Sequence, residues 1–159
     1  MALTLKALVL GSNIKDEQMA EIIIVGVDGN STSMKAARVA AELAKATGST
    51  LRVVTAFGED KTEKVAIGND EWFLSTADEA ERVAQRVAEE LKISGVKTEY
   101  SSALGKPADV LLEEAAKLDA KMIVVGNVRM QGLARVLGSV ANAVSHNAPC
   151  DVYIVKTDG

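Results

Sequence analysis

Residues 121–156 read KMIVVGNVRMQGLARVLGSVANAVSHNAPCDVYIVK, and the fold is decided there. Met122, Ile123, Val124 and Val125 form a short unbroken apolar run, the pattern of a strand buried on both faces of a parallel sheet. The run ends at Gly126. A loop through Asn127, Arg129 and Gly132 leads to Gly138-Ser139, where the pattern turns helical, with Val140, Ala143 and Val144 spaced for one face. A second apolar run, residues 151–156, follows Pro149. A glycine after a buried strand allows close approach of the backbone to a ligand. A Gly-Ser opening a helix offers unpaired N–H groups and a hydroxyl to an anion, aided by the helix dipole. Together they suggest a phosphate site. On the glycines alone, the plainer reading of two turn residues stands beside it.

Working outward, the same grammar repeats. Ile22, Ile23, Ile24 and Val25 form a buried strand that closes through Gly26-Val27 on Asp28. Asn30 stands where a helix N-cap belongs. The helix it opens runs to about Thr47 and stops at Gly48, with Ala37, Ala41 and Ala44 on the packing face and Lys35, Arg38, Glu42 and Lys45 on the wet one. Leu51 to Ala56 is the second strand. Residues 57–74 read as a polar, irregular connection, closed by Trp72 and Phe73, which either stack on a ligand or anchor the loop to the core. The next helix, Ser75 to Ser94, is the cleanest periodic segment, through Ala80, Val83, Ala84, Val87, Ala88 and Leu91. Asp78 with Arg82 and Arg86 with Glu90 are spaced as i,i+4 pairs on its solvated face. Val96 to Ser102 is a weaker, more polar strand suited to a sheet edge. Pro107 suits the first position of a further helix, whose buried face is Ala108, Leu111, Leu112 and Ala115.

Strands and helices thus alternate from the first strand to the last. Strict alternation of apolar strands with helices predicts an α/β fold: one doubly wound parallel sheet of five strands, covered by helices on both faces. In such sheets ligands bind outside the carboxyl ends of the strands, where strand order reverses. Asp28 and Gly126 both stand at carboxyl ends, which makes them the physical pointer to a shared site.

Composition narrows the function. The chain has 159 residues, 48% hydrophobic and 25% charged, which fits a single globular domain. Its net charge of −4 and 3% aromatic content argue against nucleic acid as a partner, since such binders need a basic surface and stacking rings. No segment has the length to cross a membrane. One cysteine permits no internal disulfide and suits a reducing cytoplasm. With one histidine, His146, and one cysteine, Cys150, neither a histidine-based triad nor a Cys/His zinc cluster can be assembled. His146 reads as a helix C-terminal cation and Cys150 as a small core residue. No Gly-Lys-Ser/Thr loop is present, which argues against strong NTPase activity. Residues 1–20 read as an N-terminal extension with a short alternating segment around Leu3 and Leu5, ahead of a domain over 21–159. Met19 leaves open that the extension is appended or comes from an upstream start.

Val25-Gly-Val-Asp-Gly-Asn30 before an alanine-rich helix, Gly105-Lys-Pro107, and Val124-Val-Gly126 with Leu137-Gly-Ser-Val140 resemble the universal stress protein family over nearly all of residues 21–156. The resemblance implies a Rossmann-like sheet of the adenine nucleotide alpha hydrolase type, in the order 3-2-1-4-5, with the reversal between Asp28 and Gly126. It also implies a stress-response protein that binds ATP, AMP or cyclic AMP, magnesium being compatible, with at most weak ATP hydrolysis. Val27, Asp28 and the backbone at Ala56 would hold adenosine; Gly126, Asn127, Arg129, Gly138, Ser139 and Val140 would hold the phosphates. A homodimer through Val152, Tyr153, Ile154 and Val155 is implied as well, and an apolar edge strand calls for such a partner.

The chain departs from the family's motif of Gly, two residues, Gly, nine residues, Gly and then Ser or Thr. Arg129 takes the second glycine's place, and eight residues separate it from Gly138. That arginine either crowds the phosphates or caps them through a charge-assisted contact. The alternative function is a flavodoxin-like electron carrier, with Asp28 to Ser33 around the FMN phosphate and Trp72 against the ring. It leaves the loop from Gly126 to Ser139 without a role.

Overall fold

A computed structural model describes residues 20–59, 61–127 and 137–157, and for residues 65, 67, 70 and 72–74 the backbone alone. The extension read in residues 1–19, together with Arg129 and Gly132, lies outside the described residues, as do the side chains of Trp72 and Phe73.

The chain runs β1 (Ile22–Gly26), α1 (Ser31–Thr47), β2 (Thr50–Phe57), β3 (Thr62–Ile67), β4 (Asp70–Ser75), α2 (Thr76–Lys92), β5 (Thr98–Leu104), α3 (Pro107–Leu118), β6 (Met122–Asn127), α4 (Ser139–Asn147) and β7 (Asp151–Lys156). Five strands form one sheet in the order β5-β2-β1-β6-β7, all pairs parallel. Counting only those five, this is the expected 3-2-1-4-5 order.

The central strands alternate between two cores, which is why they read as continuous apolar runs. Ile23, Val25, Leu51, Val53 and Val124 face α1 and α2, meeting Ala37, Ala40, Ala44, Ala84 and Val87. Ile24, Val54, Ile123 and Val125 face α3 and α4, meeting Leu111, Ala115, Ala141 and Val144. The alanines of α1 have no side chain beyond Cβ, so this helix lies close on the middle of the sheet. Its start is capped by Asn30 and its end by Gly48 at φ 66°, a left-handed conformation that glycine adopts without strain. Ser75 caps α2 through the Asp78 N–H, and Pro107 opens α3.

Two expectations need correction. Residues 57–74 are not irregular: Thr62–Ile67 and Asp70–Ser75 pair antiparallel as a hairpin, a two-stranded sheet separate from the main one. Ile67 opposes Asp70, so Gly68-Asn69 is a two-residue turn, and Gly68 at φ 66° takes the first central position that a type II′ turn reserves for glycine. The i,i+4 pairs on α2 do not form. Glu90 instead meets Arg38 of α1 at 3.4 Å, because the two helices lie side by side. The edge strand β5 is polar as expected, and its Glu99 joins Arg52 at 3.3 Å. Arg52 also reaches Glu114 of α3 at 3.3 Å, tying that helix across two strands.

Candidate functional site

At the carboxyl end of the sheet, β1 and β6 stop pairing after Val25 and Val124. Beyond that point β1 leads to α1 on one face, while the chain after β6 returns through α4 on the other. The parting leaves a cleft of about 320 Å³. Val27, Asp28, Ala56, Gly126, Asn127, Gly138, Ser139 and Val140 all border it, so eight of the nine residues singled out from sequence come together. The ninth, Arg129, is outside the described residues. The cleft also takes in Asn30, Thr32 and Ser33 from the start of α1, Pro107, Val110 and Leu111 from α3, and Thr157 after β7. Pro107 carried a signal as a helix start but not as a cleft residue, and Asn30, Thr32 and Ser33 entered as ligand contacts only through the flavin alternative. Thr157 carried none.

Val27, Val54, Ala56, Val110 and Leu111 make an apolar wall. The ladder between β1 and β2 ends where the Val27 N–H donates to the Val54 carbonyl at 2.9 Å. Backbone groups on a parallel strand alternate sides, so the N–H and C=O of Ala56 point to the same side as those of Val54, now past the end of β1. They face the crevice as a donor and acceptor pair.

Three helix N-termini border the cleft: that of α3 begins with Pro107, which has no N–H to offer, and those of α1 and α4 differ. At α1, Asn30 closes the end on itself: its Oδ1 accepts from the Ser33 N–H at 3.0 Å and from the Thr32 hydroxyl at 2.6 Å. Its own N–H and Nδ2 donate to the two oxygens of Asp28, at 3.0 and 2.6 Å. The Asp28 N–H in turn donates to Ser33 Oγ at 3.3 Å. Asp28 is thereby held in one orientation at the rim, and it is the one charged side chain among the described residues lining the cleft.

At α4 nothing similar happens. Gly138 is the N-cap without a side-chain cap bond, and no acidic residue stands in the first turn. Among the described residues no side chain caps the first N–H groups of the helix, which lie at the positive end of its dipole. The Gly138 N–H itself donates to Asn127 Oδ1 at 2.9 Å. Asn127 is 2% exposed, and its Nδ2 has no partner among the described residues.

The strand-end glycines also make room for neighbouring elements. A Cβ on Gly126 would stand 3.2 Å from Thr157 Cγ2 and 3.4 Å from Ala36 Cβ, so the space where a side chain would go is filled by protein. A Cβ on Gly26 would meet Leu111 at 3.0 Å. Glycine at these strand ends lets the flanking elements close in and shape the cleft.

Neither His146 nor Cys150 lines the cleft. Burial, and then the negative charge of Asp151, push the Cys150 thiol above its ordinary pKa, so it stays protonated rather than nucleophilic. No group of three or more His, Cys, Asp or Glu among the described residues could hold a metal, and no helix among them is long and apolar enough to cross a membrane. The arrangement offers an apolar slot, a fixed carboxylate at one end and free N–H donors at the other. Its chemistry matches an elongated ligand with an apolar ring and an anionic tail.

Comparison with known proteins agrees with this geometry. A model of the universal stress protein family matches residues 19–156. A universal stress protein of Methanocaldococcus jannaschii is 32% identical over 160 residues, covering 97% of this chain and 93% of its own. A universal stress protein solved in complex with cAMP superposes with a TM-score of 0.68 at 29% identity, covering 87% of this chain and 98% of that one. One from Archaeoglobus fulgidus in complex with dAMP has the same fold, with a TM-score of 0.64 at 24% identity, covering 86% and 98%.

Proposed function

The chain belongs to the universal stress protein family, and from that premise we propose that it binds an adenine nucleotide in this cleft as a regulatory ligand, with little or no turnover. The observation that carries the reading is the contrast between the two helix starts. The α1 terminus is closed by its own Asn30, whereas α4 has no side-chain cap among the described residues. A phosphoryl group is the acceptor that such a terminus suits.

The rest of the ligand follows from the wall. An adenine ring fits the apolar slot of Val27, Val110 and Leu111 and meets the Ala56 backbone with its own donor and acceptor edge. Asp28, held by Asn30, accepts from ribose hydroxyls. Gly126, Asn127, Gly138, Ser139 and Val140 surround the phosphates, with Arg129 as a further contact from the loop. The solved relative bound to cAMP supports an adenine nucleotide over other ring-and-anion ligands. No described carboxylate stands at the α4 end, so magnesium would arrive on the nucleotide's own phosphates. A flavin phosphate at Asp28 to Ser33 would compete with the cap that Asn30 already supplies.

Calorimetric titration with adenosine, AMP, cyclic AMP and ATP tests the reading. The wild type is expected to bind at least one nucleotide more tightly than adenosine. Replacing Gly138 and Ser139 together with leucine should abolish that binding while circular dichroism shows a folded chain. Unchanged titration by a folded double variant would overturn the site.

A further inference from the structure

Among the described residues β5 ends the sheet on its side and pairs with β2 alone. On a parallel strand successive residues turn their N–H and C=O groups to opposite sides. The Lys97 carbonyl accepts from the Leu51 N–H, and the Gly105 N–H donates to the Phe57 carbonyl, each at 2.9 Å. The odd-numbered residues between them therefore face β2, and Thr98, Tyr100, Ser102 and Leu104 turn their backbone groups outward. No described strand lies beyond β5 to meet them. The same flank is apolar. Leu104 is 60% exposed, Tyr100 38%, and Ile93, just after α2, 87%, three of the four large exposed hydrophobics among the described residues. An open edge of this kind calls for a cover.

The chain itself supplies one. The segment ahead of β1 lies outside the described residues, and its sequence alternates around Leu3 and Leu5 as a strand does. The family model begins at residue 19, yet the Methanocaldococcus jannaschii relative matches 97% of this chain, a share that residues 20–159 alone do not reach. Part of the segment thus belongs to that match. Its reach is ample. Thr98 is in register with Leu51, and Leu51 with Ile23, so the amino end of β5 stands level with the start of β1. Two strand spacings, about 10 Å, separate them, and residues 8–19 can span about 40 Å when extended. A chain arriving from that end runs antiparallel to β5, as edge strands on parallel sheets commonly do. β7 lies equally near on the other side, but Tyr153 is the one large exposed hydrophobic described there.

We propose that residues 1–7 add an antiparallel strand along the outer edge of β5. With Leu5 opposite Tyr100, Lys6 falls opposite Glu99, Thr4 opposite Ser101 and Met1 opposite Leu104. Apolar residues then meet apolar ones, a hydroxyl meets a hydroxyl and a cation meets a carboxylate, the pairs that stabilise neighbouring strands. The inference is independent of what the cleft binds.

Residue-resolved amide hydrogen exchange on the full-length protein tests it. In the wild type the outward N–H groups of Tyr100 and Ser102 should exchange about tenfold or more slowly than unpaired amides. Leu5→Pro removes a donor from the added strand. It should return Tyr100 and Ser102 to the rates of an open edge, while Ser101 and Ala103, bonded to β2, keep theirs. Leu3→Asp with Leu5→Asp keeps every backbone donor and should give the same loss by removing the apolar contacts. Fast exchange at Tyr100 and Ser102 in the wild type overturns the proposal. Protection that both variants leave in place overturns it too, since another group then covers the edge. Protection lost instead at Val152 and Ile154 puts the segment on β7 and overturns the choice of β5. Protection that fades on dilution assigns the strand to a second copy, which is equally fatal to it.

Discussion

Asn30 does two tasks with one side chain. Its Oδ1 caps α1 while its Nδ2 and N–H steady the Asp28 carboxylate. Replacing it with alanine therefore acts on both. Loss of a cap of this kind costs about 1 kcal/mol, visible as a lower urea midpoint with an unchanged slope. Asp28 would also lose the Nδ2 donor, the shorter of its two contacts to residue 30, while the backbone N–H remains, so nucleotide affinity should fall together with stability. Asn30→Ser, which keeps a capping oxygen but cannot reach Asp28 with an amide, should restore stability and leave affinity low. Recovery of both would show that Asp28 needs no support from Asn30.

The hairpin β3–β4 is an element set apart. It adds no strand to the main sheet, and none of its described side chains lines the cleft. Its base is closed beside α2, where the Thr76 N–H donates to the Lys61 carbonyl and the Lys61 N–H to the Thr76 hydroxyl, both at 2.9 Å. Replacing residues 63–73 with a short Gly-Ser bridge, and so keeping Ser75 as the cap of α2, should leave the five-stranded sheet folded with its nucleotide affinity intact. Circular dichroism and titration check this. Loss of affinity in a folded variant would place the hairpin over the site.

At the scale of the whole molecule the sheet has two edges of different character. On β5 the residues are mostly polar, and Arg52 and Glu114 bind its flank to the body of the protein. On β7 Tyr153 is 44% exposed, with Val152 and Ile154 half-buried around it. An apolar edge strand with unpaired backbone groups invites a second strand, and a copy related by a two-fold axis closes the contact. We propose a homodimer through Val152, Tyr153, Ile154 and Val155. Light scattering at micromolar concentration should give twice the chain mass. Ile154→Pro, which removes a backbone donor that faces away from β6 at the open edge, should give a folded monomer. A monomeric wild type, or a folded dimeric proline variant, rules this interface out.

The local features that depend on a few neighbouring residues were legible in the sequence. Apolar runs at residues 22–25 and 122–125 marked the buried strands, Asn30 and Pro107 marked helix starts, and strict alternation dictated a doubly wound sheet. The sheet order came from family resemblance, and the structure has that order. Eight of the nine residues singled out meet at one cleft because the ends of adjacent parallel strands must converge where the order reverses. The hairpin was missed although Gly68-Asn69 carried a turn signal, because its flanking strands lack the apolar alternation of a half-buried sheet. Only the tertiary structure decided the rest. The side-chain space at Gly126 is taken by Thr157 and Ala36, which are 31 and 90 residues away in the chain. Asn127 turns its acceptor to Gly138, and Glu90 chooses Arg38 of a neighbouring helix over Arg86 of its own. Such choices are made by what packing brings within about 3 Å, a distance that periodicity along the chain does not encode.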